Sequence, residues 1–165
     1  RMQYCAKLDA YFARLVTRLL NVPATAEYRR GWALEQDLAD CLEQNRDKDS
    51  RLRTTTVGPH RADVVFKIDG AVARERVSRG QQKILAAAFV LAQIQLQTDI
   101  GTEPVCLLID DPAAELDVDN LGKILAVIGE LRAQLIITSV TEAGLGTSRI
   151  GTKFHVEQGR FTRML

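Results

Sequence analysis

Val105-Cys106-Leu107-Leu108-Ile109-Asp110-Asp111-Pro112 is an apolar run closed by two adjacent carboxylates and a proline. A short apolar stretch without alternation predicts a strand buried on both faces of a parallel sheet. In open α/β sheets ligands gather at the carboxyl ends of the strands, so Asp110 is expected to stand where a ligand binds. Two neighbouring carboxylates do not both ionise cheaply unless a cation or a proton lies close. Asp110 is therefore a candidate ligand for a hard divalent cation such as Mg²⁺, and Asp111 a candidate for orienting or deprotonating a water molecule. The plainer alternative is that one of the pair only caps the turn at Pro112. Glu115-Leu116-Asp117 follows at once, adding two more carboxylates.

Upstream, Ser78-Arg79-Gly80-Gln81-Gln82 opens a segment rich in Ala, Leu and Gln that runs through Gln97. Ser78 is a good N-cap, and the composition predicts a helix of about five turns. The hydroxyl of Ser78 and bare N–H groups at such a helix start suit a phosphate, because the helix dipole already favours negative charge there. Arg79 and Lys83 add positive charge beside it, available to phosphate, an acidic partner or solvent. No Gly-x-x-x-x-Gly-Lys-Ser/Thr loop occurs anywhere in the chain, so a phosphate cradle of that kind is missing from it.

Further out, Leu116 to about Arg132 reads as a helix and Leu135 to Thr138 as a second buried strand, which makes strand, helix, strand with parallel strands. Phe154–Val156 and Phe161–Met164 form a hairpin about Gln158-Gly159. Asp63–Ile68 and Ala71–Val77 flank Asp69-Gly70, a dipeptide suited to a two-residue hairpin turn. Thr54-Thr55-Thr56-Val57 is strand-like. At the other end, Cys5, Leu8, Phe12, Leu15, Val16, Leu19 and Leu20 recur at helical spacing over Met2–Leu20, stopping near Asn21 and Pro23. A second helix is expected from Trp32 to about Asn45, with Leu34, Leu38, Cys41 and Leu42 on its buried side. The two helices are expected to form an antiparallel arm, residues 1–52, joined near 50 to 54 to an α/β part, residues 53–165.

The chain has 165 residues, 46% of them hydrophobic, with a net charge of +1. That is enough for a core and excludes a surface coated in positive charge. Arg46, Lys48, Arg51, Arg53 and Arg61 make the densest basic stretch, able to meet DNA phosphates, although Asp47 and Asp49 interrupt it. Cys5, Cys41 and Cys106 are odd in number, far apart and in apolar contexts, the pattern of reduced thiols in a cytoplasmic protein. No apolar stretch approaches the roughly 18 residues of a membrane span. His60, in Gly58-Pro59-His60-Arg61, reads as a hydrogen-bonded turn residue before it reads as an acid or base. Arg1 begins directly in a helical pattern, as expected for a C-terminal piece of a longer protein.

Taken in order, these motifs resemble the ABC-type ATPases of the SMC class, and most closely the RecF family of bacterial recombination mediators. The resemblance runs from about Thr54 to the end. Ser78-Arg79-Gly80-Gln81-Gln82 is similar to the family's signature turn, Val105–Asp111 to its Walker B strand, and Ala114-Glu115-Leu116-Asp117 to its D-loop. Thr55-Thr56-Val57-Gly58-Pro59-His60-Arg61-Ala62-Asp63 resembles a segment that precedes the signature in RecF-type sequences, and residues 1–52 resemble the end of the helical second lobe.

The resemblance implies the C-terminal part of an ABC-type ATPase domain, with ATP and Mg²⁺ held between two protomers of a homodimer. Ser78, Arg79, Gly80 and Gln81 would contact ATP bound to the partner, whose Walker A loop lies outside this chain. Asp110 would hold the metal and Asp111 take the catalytic carboxylate position, one methylene shorter than the usual glutamate. Glu115 and Asp117 would belong to the D-loop, with Asp117 acting across the interface, and Ser139 stands where a histidine normally meets the γ-phosphate. The implied partners are gapped or junction DNA, with Arg51, Arg53 and Arg61 as its candidate contacts, together with RecR, RecO and RecA. Full length, such a protein is a weak ATPase; this piece alone is expected to be inactive. Two other readings stay open from the residues: a Mg²⁺-dependent nuclease built on Asp110, Asp111 and Glu115, and an interaction module whose helical arm, residues 2–45, binds a protein partner while the ATPase core is vestigial.

Overall fold

The computed structural model describes residues 1–101, 104–140 and 151–164. The chain divides into two compact units, Arg1–Thr102 and Glu103–Leu165.

In the first unit, α1 (Met2–Leu20) buries Leu8, Phe12, Leu15, Val16 and Leu19, the stripe its periodicity predicts. Asn21 ends it in the left-handed region, φ 56°, with its N–H on the carbonyl of Thr17. The chain then enters β1 (Ala24–Arg29), which pairs antiparallel along its whole length with β2 (Asp63–Ile68). Asp69 and Gly70, φ 49° and 78°, turn β2 into the short β3 (Ala71–Val72). The long α3 (Arg79–Ile100) packs on α1 and buries Ile84, Leu85, Ala88, Leu91, Ala92, Ile94 and Leu96. Phe12, Phe66 and Phe89 meet with ring centroids 4.9, 5.0 and 5.9 Å apart, joining α1, β2 and α3. The Asp9 carboxylate accepts the N–H of Ala26 at 2.6 Å, tying α1 to β1.

The antiparallel helical arm expected over residues 1–52 is therefore replaced by helix and strand. Ala24 and Ala26 face the core while Thr25 and Glu27 face out, a true two-residue alternation whose apolar members are alanines, poor strand formers. Because β1 pairs with β2, no division falls at 50 to 54. The second helix, α2 (Leu38–Leu52), starts and ends later than expected, and buries only Cys41; Leu34 is 69% exposed and Leu42 is also exposed. Residues 32–37 wrap around Arg30 instead, whose guanidinium lies 4.7 Å from the Trp32 ring and donates to the carbonyl of Gln36. Asp37 then caps α2 by accepting from the N–H of Ala39. The mixed-charge run continues the helix because it holds no glycine or proline, and Arg46 pairs with Glu43 one turn back.

Thr54–Val57 is not a strand, for side chains take its backbone groups. The Asp49 carboxylate accepts the N–H and the hydroxyl of Thr56, while Arg61 Nε donates to the carbonyl of Thr55 and His60 Nε2 lies 2.9 Å from it. Gly31, φ 92°, lets this segment approach: any side chain there would run into the backbone of Gly58, Arg61 and Ala62.

In the second unit, β4 (Val105–Ile109) runs parallel to β5 (Ala133–Ile137), with Ile109 opposite Ile137. Between them lie α4 (Pro112–Glu115) and α5 (Val118–Ile128), the latter burying Leu121, Ile124, Val127 and Ile128. The expected helix from Leu116 is shorter, because Asp117 caps it and Gly129 ends it. β6 (Phe154–Glu157) and β7 (Arg160–Arg163) form the hairpin about Gln158-Gly159. Burial on both faces of β4 is corrected: Leu107 is buried, but Cys106 is exposed and Leu108 is 70% exposed. Among the described residues β4 has β5 as its only strand neighbour, and one face of the pair stays open.

Candidate functional site

The helix start at Ser78 is built by reciprocal capping. Ser78 Oγ accepts the N–H of Gln81 at 3.2 Å, and Gln81 Oε1 accepts the N–H of Ser78 at 2.9 Å. Gln81 is thus committed to the cap. Ser78 still has its hydroxyl proton to donate, and among the described residues the N–H groups of Arg79 and Gly80 have no acceptor. Gly80 is more telling, since a methyl group built there would meet only Ser78 Oγ, at 3.9 Å. Among the described residues nothing requires a glycine at the second position of α3, where glycine costs about 1 kcal/mol relative to alanine in a helix interior and somewhat less in a first turn. The arrangement suits close approach by an external acceptor to an amide at the positive end of a helix.

The carboxylate pair is organised by the end of β5. Thr138 donates its N–H to the carbonyl of Ile109 at 2.9 Å, extending the parallel ladder. Its hydroxyl donates to Asp110 Oδ1, and the N–H of Asp111 points at both Thr138 Oγ1 and the Thr138 carbonyl, each at 3.2 Å. Asp111 stands at φ 38°, ψ 59°, left-handed, and its carboxylate makes no capping bond to α4. The plain alternative of a carboxylate spent on the turn at Pro112 is therefore not realised. Asp110 is exposed and keeps Oδ2 unbonded among the described residues. Two hard oxygen donors not consumed by the fold fit Mg²⁺ better than a softer metal. Thr138 was invisible to sequence reasoning because its role comes from the register of β4 against β5; a hydroxyl residue ending the next core strand is the only signal.

The other candidates divide. Asp117 accepts both the backbone N–H of Asn120, at 2.9 Å, and its side-chain amide, at 2.6 Å. The backbone bond first, then the amide, hold the Asp117 carboxyl below its ordinary range. Its position just before α5 is explained by capping alone. Glu115 ends α4 and Ser139 directly follows Thr138. Among the described residues no three His, Cys, Asp or Glu side chains converge on a cation position, so Asp110, Asp111 and Glu115 do not form the cluster a nuclease needs. The side chains of Arg51 and Arg53 are exposed and, among the described residues, make no hydrogen bond or ion pair, although the backbone N–H of Arg53 closes α2 on the carbonyl of Asp49; Arg61 is spent on Thr55 and Thr54. Arg79 is exposed at the helix start. No described helix is long and apolar enough to cross a membrane.

No protein-family model matches the chain. A protein of Marinomonas sp. named "DNA replication and repair protein RecF" is 36% identical over 141 residues, covering 85% of this chain and 38% of that protein. The protein of the same name from Chromohalobacter salexigens is 36% identical over 165 residues, covering 97% and 46%. By sequence, the chain is similar to RecF proteins along almost its whole length, consistent with the C-terminal half of one. It spans less than half the length of these RecF relatives. Solved structures agree on the fold: RecF with ATP and with an ATP analogue, in work on the RecFOR pathway, superpose with TM-scores of 0.73 and 0.75 at 23% and 21% identity, over 99% of this chain and 45% of each of theirs. An SMC head bound to the winged-helix domain of ScpA gives 0.59 at 18% identity, over 99% of this chain and 43% of that one. The architecture is thus that of RecF and SMC heads, an ABC-type ATPase fold.

Proposed function

We propose that this chain is the signature-bearing and Walker B-bearing part of a RecF-type DNA repair protein, an ATP-dependent clamp that closes on DNA as a homodimer. The carrying observation is Gly80, a glycine that no described neighbour demands, beside two amides that have no acceptor among the described residues. The names of its relatives support a role in replication and repair. In this reading Ser78 donates its hydroxyl proton to the γ-phosphate of ATP held by the other protomer, and the amides of Arg79 and Gly80 donate beside it. Asp110 offers its unbonded oxygen to Mg²⁺, and Asp111 accepts from the attacking water. Bound Mg²⁺ would neutralise charge on the phosphates as the bond breaks. Asp111, one methylene shorter than the glutamate usual in ABC-type ATPases, makes turnover slow, which suits a clamp that must stay closed; Ser139, where those ATPases normally carry a histidine, offers the γ-phosphate a hydroxyl without charge. The site on gapped or junction DNA, the assistance to RecA loading with RecO and RecR, and a cytoplasmic location belong to the same reading. So does the assignment of the ATPase lobe to the residues around Ser78 and Asp110.

Sedimentation of the full-length protein with Mg²⁺ and ATP tests it, comparing wild type with Ser78→Arg. Nucleotide-dependent dimers lost in the variant are expected. Dimers indifferent to ATP and to Ser78 would overturn the shared-site reading.

A further inference from the structure

The contacts at the end of β5 assign a task to a residue that no motif singles out. We infer that Thr138 is the positioning residue of the carboxylate pair, a deepening that rests on the ATPase reading above. Its hydroxyl has one proton and two lone pairs. The N–H of Asp111 points at a lone pair, which leaves the proton for Asp110 Oδ1. The direction of the hydroxyl is thereby fixed, and one oxygen of Asp110 is engaged while the other stays open for the metal. The same residue holds Asp111. Its carbonyl and hydroxyl both receive the Asp111 N–H, pinning a non-glycine residue in the left-handed region, where backbone strain is tolerated only when neighbours over-determine it. The N–H of Thr138 in turn is anchored to Ile109, the residue just before Asp110. One threonine thus sets the open oxygen of the metal ligand and the backbone of the catalytic carboxylate from a rigid strand end. Outer hydrogen-bond partners of this kind orient metal ligands and raise their affinity.

The test uses the full-length protein with a non-hydrolysable ATP analogue and Mn²⁺ in place of Mg²⁺, read by the electron paramagnetic resonance signal of bound Mn²⁺. Thr138→Val keeps the shape and removes the hydroxyl, and is expected to weaken nucleotide-dependent Mn²⁺ binding about tenfold, the low end for loss of such a partner. Thr138→Ser is expected to restore it. ATP hydrolysis against Mg²⁺ concentration should show the same pattern, with the Thr138→Val deficit partly recovered at high Mg²⁺. If wild type binds Mn²⁺ and Thr138→Val binds it equally well, the assignment of Thr138 falls and the ATPase reading stands. If wild type shows no nucleotide-dependent Mn²⁺ binding, both fall. Should Thr138→Val not fold, Thr138→Ala carries the same comparison against Thr138→Ser. Equal weakening in valine and serine variants would mean that the hydroxyl is not what positions the pair.

Discussion

Ser78 does two things that mutation can separate. It caps α3 with its oxygen, and its proton remains for a ligand. Ser78→Ala removes both and should lower stability by about 1 kcal/mol, the usual cost of losing such a cap. Ser78→Asp keeps a good cap and places negative charge where a phosphate is proposed. Thermal melts should therefore find Ser78→Asp close to wild type and Ser78→Ala below it, while sedimentation with ATP should find Ser78→Asp unable to dimerise. An aspartate variant that dimerised normally would reduce Ser78 to a cap. Asp117 makes a second prediction at this scale. Its carboxyl titrates lower folded than unfolded because Asn120 donates to the charged form. The stability it adds is thus present above the unfolded carboxyl value and is lost as pH falls through the folded one. Asparagine also caps helices but does not titrate, so the stability difference between wild type and Asp117→Asn should be constant near neutrality and should change only in acid, below about pH 4. Melts from pH 7 to pH 3 measure it.

Among elements, the heaviest dependence falls on the contact of α1, β2 and α3. Phe12 is fully buried and touches both Phe66 and Phe89. Phe12→Ala should destabilise the first unit by about 3–5 kcal/mol, read as a lowered denaturant midpoint; a loss below about 1 kcal/mol would show that α1 is not integral to that core. The elements that carry this core were legible: α1 through repeats at helical spacing, α3 through its Ser78 cap and its Ala, Leu and Gln content, β2 through Asp69-Gly70; outside that core, β4 was legible through its apolar run. What was not legible has specific causes. In β1 the core-facing residues are Ala24 and Ala26, too small to advertise a strand, and this one omission turned helix and strand into an imagined helical arm. In α2 the charges of residues 46–53 concealed a helix that tertiary contacts at Cys41 and Asp49 hold in place. Thr138 lies 28 residues from Asp110 in sequence, and only the pairing of Ile109 with Ile137 brings its hydroxyl to that carboxylate.

At the scale of the molecule, the open face of the β4–β5 pair is the feature that this chain does not explain by itself. Cys106 and Leu108 on β4 and Ile136 on β5 are exposed together, Cys106 standing opposite Gln134 and Leu108 opposite Ile136. Exposed contiguous apolar surface on a sheet marks a place that another element covers, and the RecF relatives are more than twice as long as this chain. The three cysteines supply the probe. Cys41 is buried, Cys5 partly buried and Cys106 exposed, so a thiol reagent added without denaturant should modify Cys106 fastest in this chain and Cys41 only on unfolding. In the full-length protein Cys106 should become as slow as Cys41, because the remaining residues would lie over β4. Cys106 reacting equally fast in both would show that the face stays open in the complete protein, and that the apolar run ending in Asp110 is not the centre of a larger sheet.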